Sequence, residues 1–235
     1  MNKTVYFLFA FFLFTQVRAQ DARKDLRLRT GIKANIDLPK GMSAAVQYQY
    51  RANNNISAFS GSYFTGTWQF TLVKKKLFAE AEYRFSTNRT NDLHRFGAGL
   101  QHKWQKGNFT VSNRLVWQRR QAYFGNAYEP GREPYSFLRY RLQLKYKLQE
   151  YVAVYSSVEP FYKLSSTVDE LRRIRYTAGC NVQFKNGHAV DVFYFIQPDY
   201  NNAPRDITYN IGLMYELDLV KKKSKKDKKK EDDWF

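Results

Sequence analysis

Hydrophobic and polar side chains alternate along residues 135–148. Leu138, Tyr140, Leu142, Leu144, Tyr146 and Leu148 take one set of positions. Arg139, Arg141, Gln143, Lys145 and Lys147 take the other. Successive side chains of a strand point to opposite faces, so a period of two gives one greasy face and one charged face. A helix would scatter the same residues around its circumference, so the pattern predicts a strand. The run is also long. Globular strands usually have about 5–6 residues, whereas a tilted membrane-spanning strand needs about 9–11.

The same period recurs from Leu26 to Leu219. Leu28, Ile32 and Ile36 alternate with Arg29, Lys33 and Asp37, and Val46 and Tyr48 with Gln47 and Gln49. Phe64, Trp68 and Phe70 alternate with Thr65, Thr67, Gln69 and Thr71, and Ala79, Ala81 and Tyr83 with Glu80, Glu82 and Arg84. Later segments repeat the theme through Ile174, Tyr176 and Cys180, then Val190, Val192 and Tyr194, then Ile211, Leu213 and Tyr215. Short connections at 38–41, 74–76, 106–108, 149–150 and 185–188 alternate with longer polar ones at 53–61, 87–92, 122–134, 165–170 and 199–205. Outer-membrane barrels connect their strands in this way, with short periplasmic turns and longer external loops. The expected fold is all-β: an antiparallel up-and-down transmembrane β-barrel of about 10–12 strands, eleven of them read directly.

Eleven is an awkward number. Bacterial single-chain barrels have even strand counts, and an odd count puts the two ends of the wall on opposite sides. Either residues 20–24 rise through the lumen, or one strand is missed or invented.

Alternation alone does not say which face looks outward. A soluble barrel of about eleven strands would enclose an apolar space too wide for side chains to fill, since eight strands already leave room only for side chains. Long arginines interleaved with Gly97, Gly99 and Gly179 suit a crowded polar interior. Tyr135, Tyr146, Trp104, Trp117, Tyr209 and Tyr215 fall near strand ends, where amphipathic rings suit headgroup depth. The apolar rows are therefore expected to face hydrocarbon and the charged rows water.

Residues 1–19 read as a secretory signal peptide. Lys3 precedes an apolar run, and Val17-Arg18-Ala19 gives a small-residue cleavage site. The expected organisation is a signal peptide at 1–19, a barrel at 20–220 and a Lys-rich periplasmic tail at 221–235. The destination is the outer membrane of a Gram-negative cell. The net charge of +18 leaves about +12 on the barrel once leader and tail are removed. Export argues against nucleic acid as the partner of this excess. Outer-membrane lipid, barrel-assembly machinery, an anionic solute, and the cell wall met by the tail are the partners expected instead.

Enzymatic chemistry is not expected. His94, His102 and His188 are far apart with no ligand at metal spacing, and no G-x-S-x-G elbow occurs. The single Cys180 lies on an apolar row, as an inert small hydrophobe would. No cofactor is implied. The candidate chemistry is the inward row of charges: Glu80, Glu82, Arg84, Arg95, Arg114, Arg139, Arg141, Glu159, Arg173 and Arg175, with Lys103, Asp191 and Glu216. These either form a ladder of ion pairs that plugs the barrel or line a small pore favouring anions. A plugged barrel would act structurally or through its external loops, of which 122–134 is the longest. A lipid-modifying enzyme is a third reading.

Three stretches carry a resemblance: Leu138-Arg139-Tyr140-Arg141-Leu142, Glu159-Pro160-Phe161-Tyr162-Lys163-Leu164, and Arg173-Ile174-Arg175-Tyr176-Thr177-Ala178-Gly179. With these the chain resembles the outer-membrane β-barrel family catalogued as domain of unknown function 2490. The likeness extends over most of 25–219. It implies an outer-membrane barrel and no established activity. The Lys-rich end departs from a plain barrel ending, so the aromatic assembly signal falls either at Trp234-Phe235 or in the last strand, with Tyr215, Leu217 and Leu219.

Overall fold

The computed structural model describes residues 23–88, 92–121, 135–164, 169–184, 187–201 and 206–219. The leader, the tail and the 122–134 loop lie outside the described residues.

Eleven strands form one closed barrel: β1 Arg23–Leu38, β2 Met42–Asn53, β3 Ala58–Val73, β4 Leu77–Thr87, β5 Asp92–Lys106, β6 Phe109–Gln121, β7 Tyr135–Lys147, β8 Val152–Leu164, β9 Glu170–Gln183, β10 His188–Asp199 and β11 Asp206–Leu219. Each pairs antiparallel with its neighbour in sequence. The tightest hairpin joins Lys106 to Phe109 through Gly107-Asn108, with Gly107 at φ +56°. A two-residue connection with glycine in that region at its first position matches the right-handed twist of the flanking strands.

The ring closes through a parallel pair. β1 runs alongside β11 from Arg23↔Asp206 to Ile36↔Leu219. An odd count therefore needs no extra or missing strand. Arg23 and Lys24 belong to the wall, which rules out a luminal path for these two residues. The closure puts Arg23 and Asp206 at the end carrying the longer loops, and Leu38 and Leu219 at the end carrying the short turns. Arg29 Nε donates to Asn210 Oδ1 across this seam at 3.0 Å, and Asn35 Nδ2 to Asp218 Oδ1 at 2.7 Å.

Two local expectations change. The 53–61 loop shrinks to 54–57, because β3 begins at Ala58 and a bulge opposite Arg51 and Ala52 absorbs the extra residue. Tyr135 faces inward: its hydroxyl accepts from Arg120 Nη1 at 2.8 Å and its ring packs against Phe137. A terminal aromatic is read as interfacial only if its parity is outward, and that of Tyr135 is not.

The two faces of the wall are opposite in character. Ile32, Val46, Phe64, Trp68, Leu100, Trp104, Leu115, Leu144, Val192 and Leu213 are all exposed on the outside. Inside, Gln49, Thr65, Glu80, Glu82, Gln101, Gln118, Arg139, Glu159, Gln197 and Asn210 are buried. A soluble barrel has the reverse arrangement, with an apolar core and a polar surface. The lumen is close-packed where glycines face large side chains. A Cβ on Gly179 would collide with the Tyr155 ring, and one on Gly212 with the Phe193 ring.

Candidate functional site

The ten candidate charges, from Glu80 to Arg175, all line one luminal cavity of about 840 Å³. Asp191 and Glu216 line it too. Lys103 does not; its ammonium sits over the Phe78 ring at 4.8 Å. The cavity reaches from Asp37 and Ser43 at the turn end to Arg120 and Arg173 in the loop-side half.

Carboxylates collect arginines in two knots. Glu82 pairs with Arg95, with Arg84 at 3.8 Å and with Arg114 at 3.7 Å, and Arg114 Nε also donates to Glu80 at 2.6 Å. Glu159 takes Arg139 at 2.6 Å and Arg175 at 3.5 Å, and Arg175 donates a second bond to Gln197 at 2.8 Å. Both knots join adjacent or near-adjacent strands, so they brace the wall from within. Buried charge in a narrow lumen requires such partners.

The knots do not neutralise the cavity. Thirteen cationic side chains and six carboxylates line it. Among the described residues, Arg29, Arg51, Arg120, Arg141 and Arg173 make no ion pair. Several lean on rings instead: Arg29 over Phe195 at 4.5 Å, Arg51 over Tyr63 at 3.6 Å, and Arg173 over Phe161 at 4.7 Å. A guanidinium on a ring face keeps its edge donors free to meet an acceptor in the lumen. Among the described residues, four buried side-chain donors have no acceptor: the Nε atoms of Arg95, Arg139 and Arg173, and Nε2 of Gln118. No buried acceptor is left over among the described residues.

A second cavity, of about 140 Å³, lies at the loop end. Arg51, Tyr63, Arg84, Arg95 and Arg120 line both. These five come one each from β2, β3, β4, β5 and β6, and form a partition between the two spaces. Arg84 is the direct cross-strand partner of Arg95, and Arg95 of Arg120.

Arg29, Arg51 and Arg120 share the inward parity of their strands, yet they stand outside the set of candidate charges. Like Arg141 and Arg173, they have no carboxylate partner among the described residues, which only the register reveals. Tyr63, Gln118, Phe137, Phe161 and Phe195 were missed as well. An aromatic or amide on the polar parity of a strand was the available signal. Among the described residues no group of three His, Cys, Asp or Glu side chains could hold a metal ion.

Residues 27–208 match one family, described as protein of unknown function (DUF2490). The chain belongs to this family. The match spans β1 to the start of β11, so the DUF2490 region takes in nearly the whole barrel wall. No curated protein matches the chain. Among solved structures, a bacterial polysaccharide outer membrane secretin is similar at a TM-score of 0.50 and 8% identity, over 74% of this chain. The likeness is one of fold, and the chain spans 63% of the length of that protein.

Proposed function

We propose that this DUF2490 protein resides in the outer membrane of a Gram-negative cell and gives small anionic solutes a path through its lumen. The cation excess of the cavity carries the reading. A low-dielectric wall concentrates the field of luminal charges, so thirteen cationic groups against six carboxylates raise the local concentration of anions and repel cations. The exposed apolar belt supports the membrane part, since strands of 11–16 residues with outward Leu, Val, Phe and Trp suit a tilted span. The arrangement of inward groups gives this reading no catalytic step.

The test is conductance of the purified full chain in planar bilayers under a salt gradient. A reversal potential displaced toward anions supports the reading; cation preference, or no conductance from correctly folded protein, overturns it. Location is tested separately, by fractionation with outer membranes and by heat-modifiable gel migration.

One observation favours a second reading, a barrel closed across its width. The partition on β2 to β6 separates the two cavities, and the ion-pair knots hold it in place. Such a barrel would act structurally or through its loop end. Absence of current from folded protein selects it.

A further inference from the structure

The partition is built against its own electrostatics. Like charges directly opposite each other in a sheet are destabilising, and here three arginines stand side by side on β4, β5 and β6. On β2, Arg51 is likewise the direct partner of Arg29 on β1. Glu82 serves Arg84 and Arg95. Among the described residues, Arg120 has the Tyr135 hydroxyl and ring, and Arg51 has Gln49 and the Tyr63 ring. Just below, Gln118 lies two residues from Arg120 on the same face of β6 and is 2% exposed, yet its Nε2 donates to no acceptor. Arg95 Nε is orphaned in the same way. A buried donor without an acceptor is costly; both orphans here call for an oxygen acceptor, and the arginines around them favour one that is negatively charged.

We infer that the partition is a saturable oxyanion site, in which Arg51, Arg84, Arg95 and Arg120, with Gln118 beneath them, take the phosphate or carboxylate group of a solute. Guanidinium forks match both groups with paired N–H donors, and cavities on both sides let the rest of a solute lie above or below. The site deepens the proposed function, since it rests on solutes reaching the lumen. It changes the kind of pathway: a plain pore passes anions in proportion to concentration, whereas a pore with a site binds, saturates and discriminates.

Equilibrium titration of the full-length protein in detergent tests this without any current. The probes are inorganic phosphate, acetate and chloride, with folded state checked by heat-modifiable migration. The expected result is saturable binding of phosphate or acetate over chloride, weakened at least tenfold in Arg51→Gln and Arg120→Gln. Among the described residues neither arginine is in an ion pair, so both variants should fold. Lys106→Gln, at the turn end of β5, removes a charge elsewhere and should bind as the parent does. Preference between phosphate and acetate tells which oxyanion the partition fits. Absence of saturable binding by folded protein, or equal binding by all three variants and the parent, overturns the site. Bilayer current from the same preparation keeps the two ideas apart. Anion-selective current without saturable binding leaves the pore standing and removes the site, and binding without current does the converse.

Discussion

Arg84 and Arg95 are direct cross-strand partners, their side chains on the same luminal face of β4 and β5. The carboxylate that reconciles them is Glu82, two residues before Arg84. Arg114 approaches its other oxygen at 3.7 Å. One side chain thus holds three like charges on three adjacent strands. Removing one member of a buried ion pair leaves the other charge uncompensated. Glu82→Gln is expected to lower unfolding stability in detergent or lipid by about 3 kcal/mol. Glu82→Gln combined with Arg95→Gln should recover part of that loss, and urea unfolding of the two single variants and the double variant measures the coupling. Additive losses would mean that Glu82 acts on Arg95 only through the general field.

Glycines on the strands differ in how much room they leave. A Cβ on Gly31 of β1 would run into the Tyr48 backbone and come 2.9 Å from Gln49 Cα. Backbone cannot swing aside as a side-chain tip can. A Cβ on Gly97 meets nothing nearer than 3.5 Å. Gly31→Ala should therefore cost about 2–3 kcal/mol, as overpacking does. Gly97→Ala should be neutral or stabilising by less than about 1 kcal/mol, through reduced freedom of the unfolded chain. Heat-modifiability against temperature ranks the two; a reversed order would show that β1 and β2 separate more easily than their register implies.

Much of this was legible from alternation alone. Eleven strands, their inward and outward faces and the ten luminal charges all follow from a period of two, because each residue's face is a local property. Neighbourhood is not local. Arg95↔Arg120 could have been counted from the tight turn at Gly107-Asn108, since a two-residue hairpin fixes register along both strands. Arg84↔Arg95 could not, since the polar stretch between Thr87 and Asp92 leaves the register free. Arg114↔Arg141 is separated by the longest loop and was equally hidden. The closure was hidden for another reason. No sequence pattern distinguishes a parallel partner from an antiparallel one when both faces of the strand are already committed.

The direction of each face makes a prediction about lipid. Leu100 is 49% exposed near the middle of β5. Thr67 lines the cavity opposite Glu82. Leu100→Lys puts a charge into hydrocarbon and should cost about 2–4 kcal/mol in vesicles, the range for a midplane lysine on a barrel. Thr67→Lys puts the same charge beside a carboxylate in water and should cost much less. Urea unfolding in lipid vesicles compares them. Equal costs, or a larger one for Thr67→Lys, would mean that the apolar rows do not meet lipid.

The parallel seam also fixes sidedness. Because β1 and β11 run the same way, Arg23 lies at the loop end and Leu219 at the turn end. Lys40, in the connection from β1 to β2, shares the turn end with Leu219. If the barrel sits in the outer membrane as proposed, with short turns in the periplasm, Arg23 would lie at the cell surface and the other two would face the periplasm. Single cysteines at these positions, placed in a Cys180→Ala background, can be labelled on intact cells with a membrane-impermeant maleimide. Arg23→Cys is expected to label at once. Lys40→Cys and Leu219→Cys should label only after the outer membrane is permeabilised. The inverse result would mean that the barrel sits the other way up, with its seam intact. Arg23→Cys and Leu219→Cys reacting from one side would require an even number of crossings, and then β1 cannot lie parallel to β11.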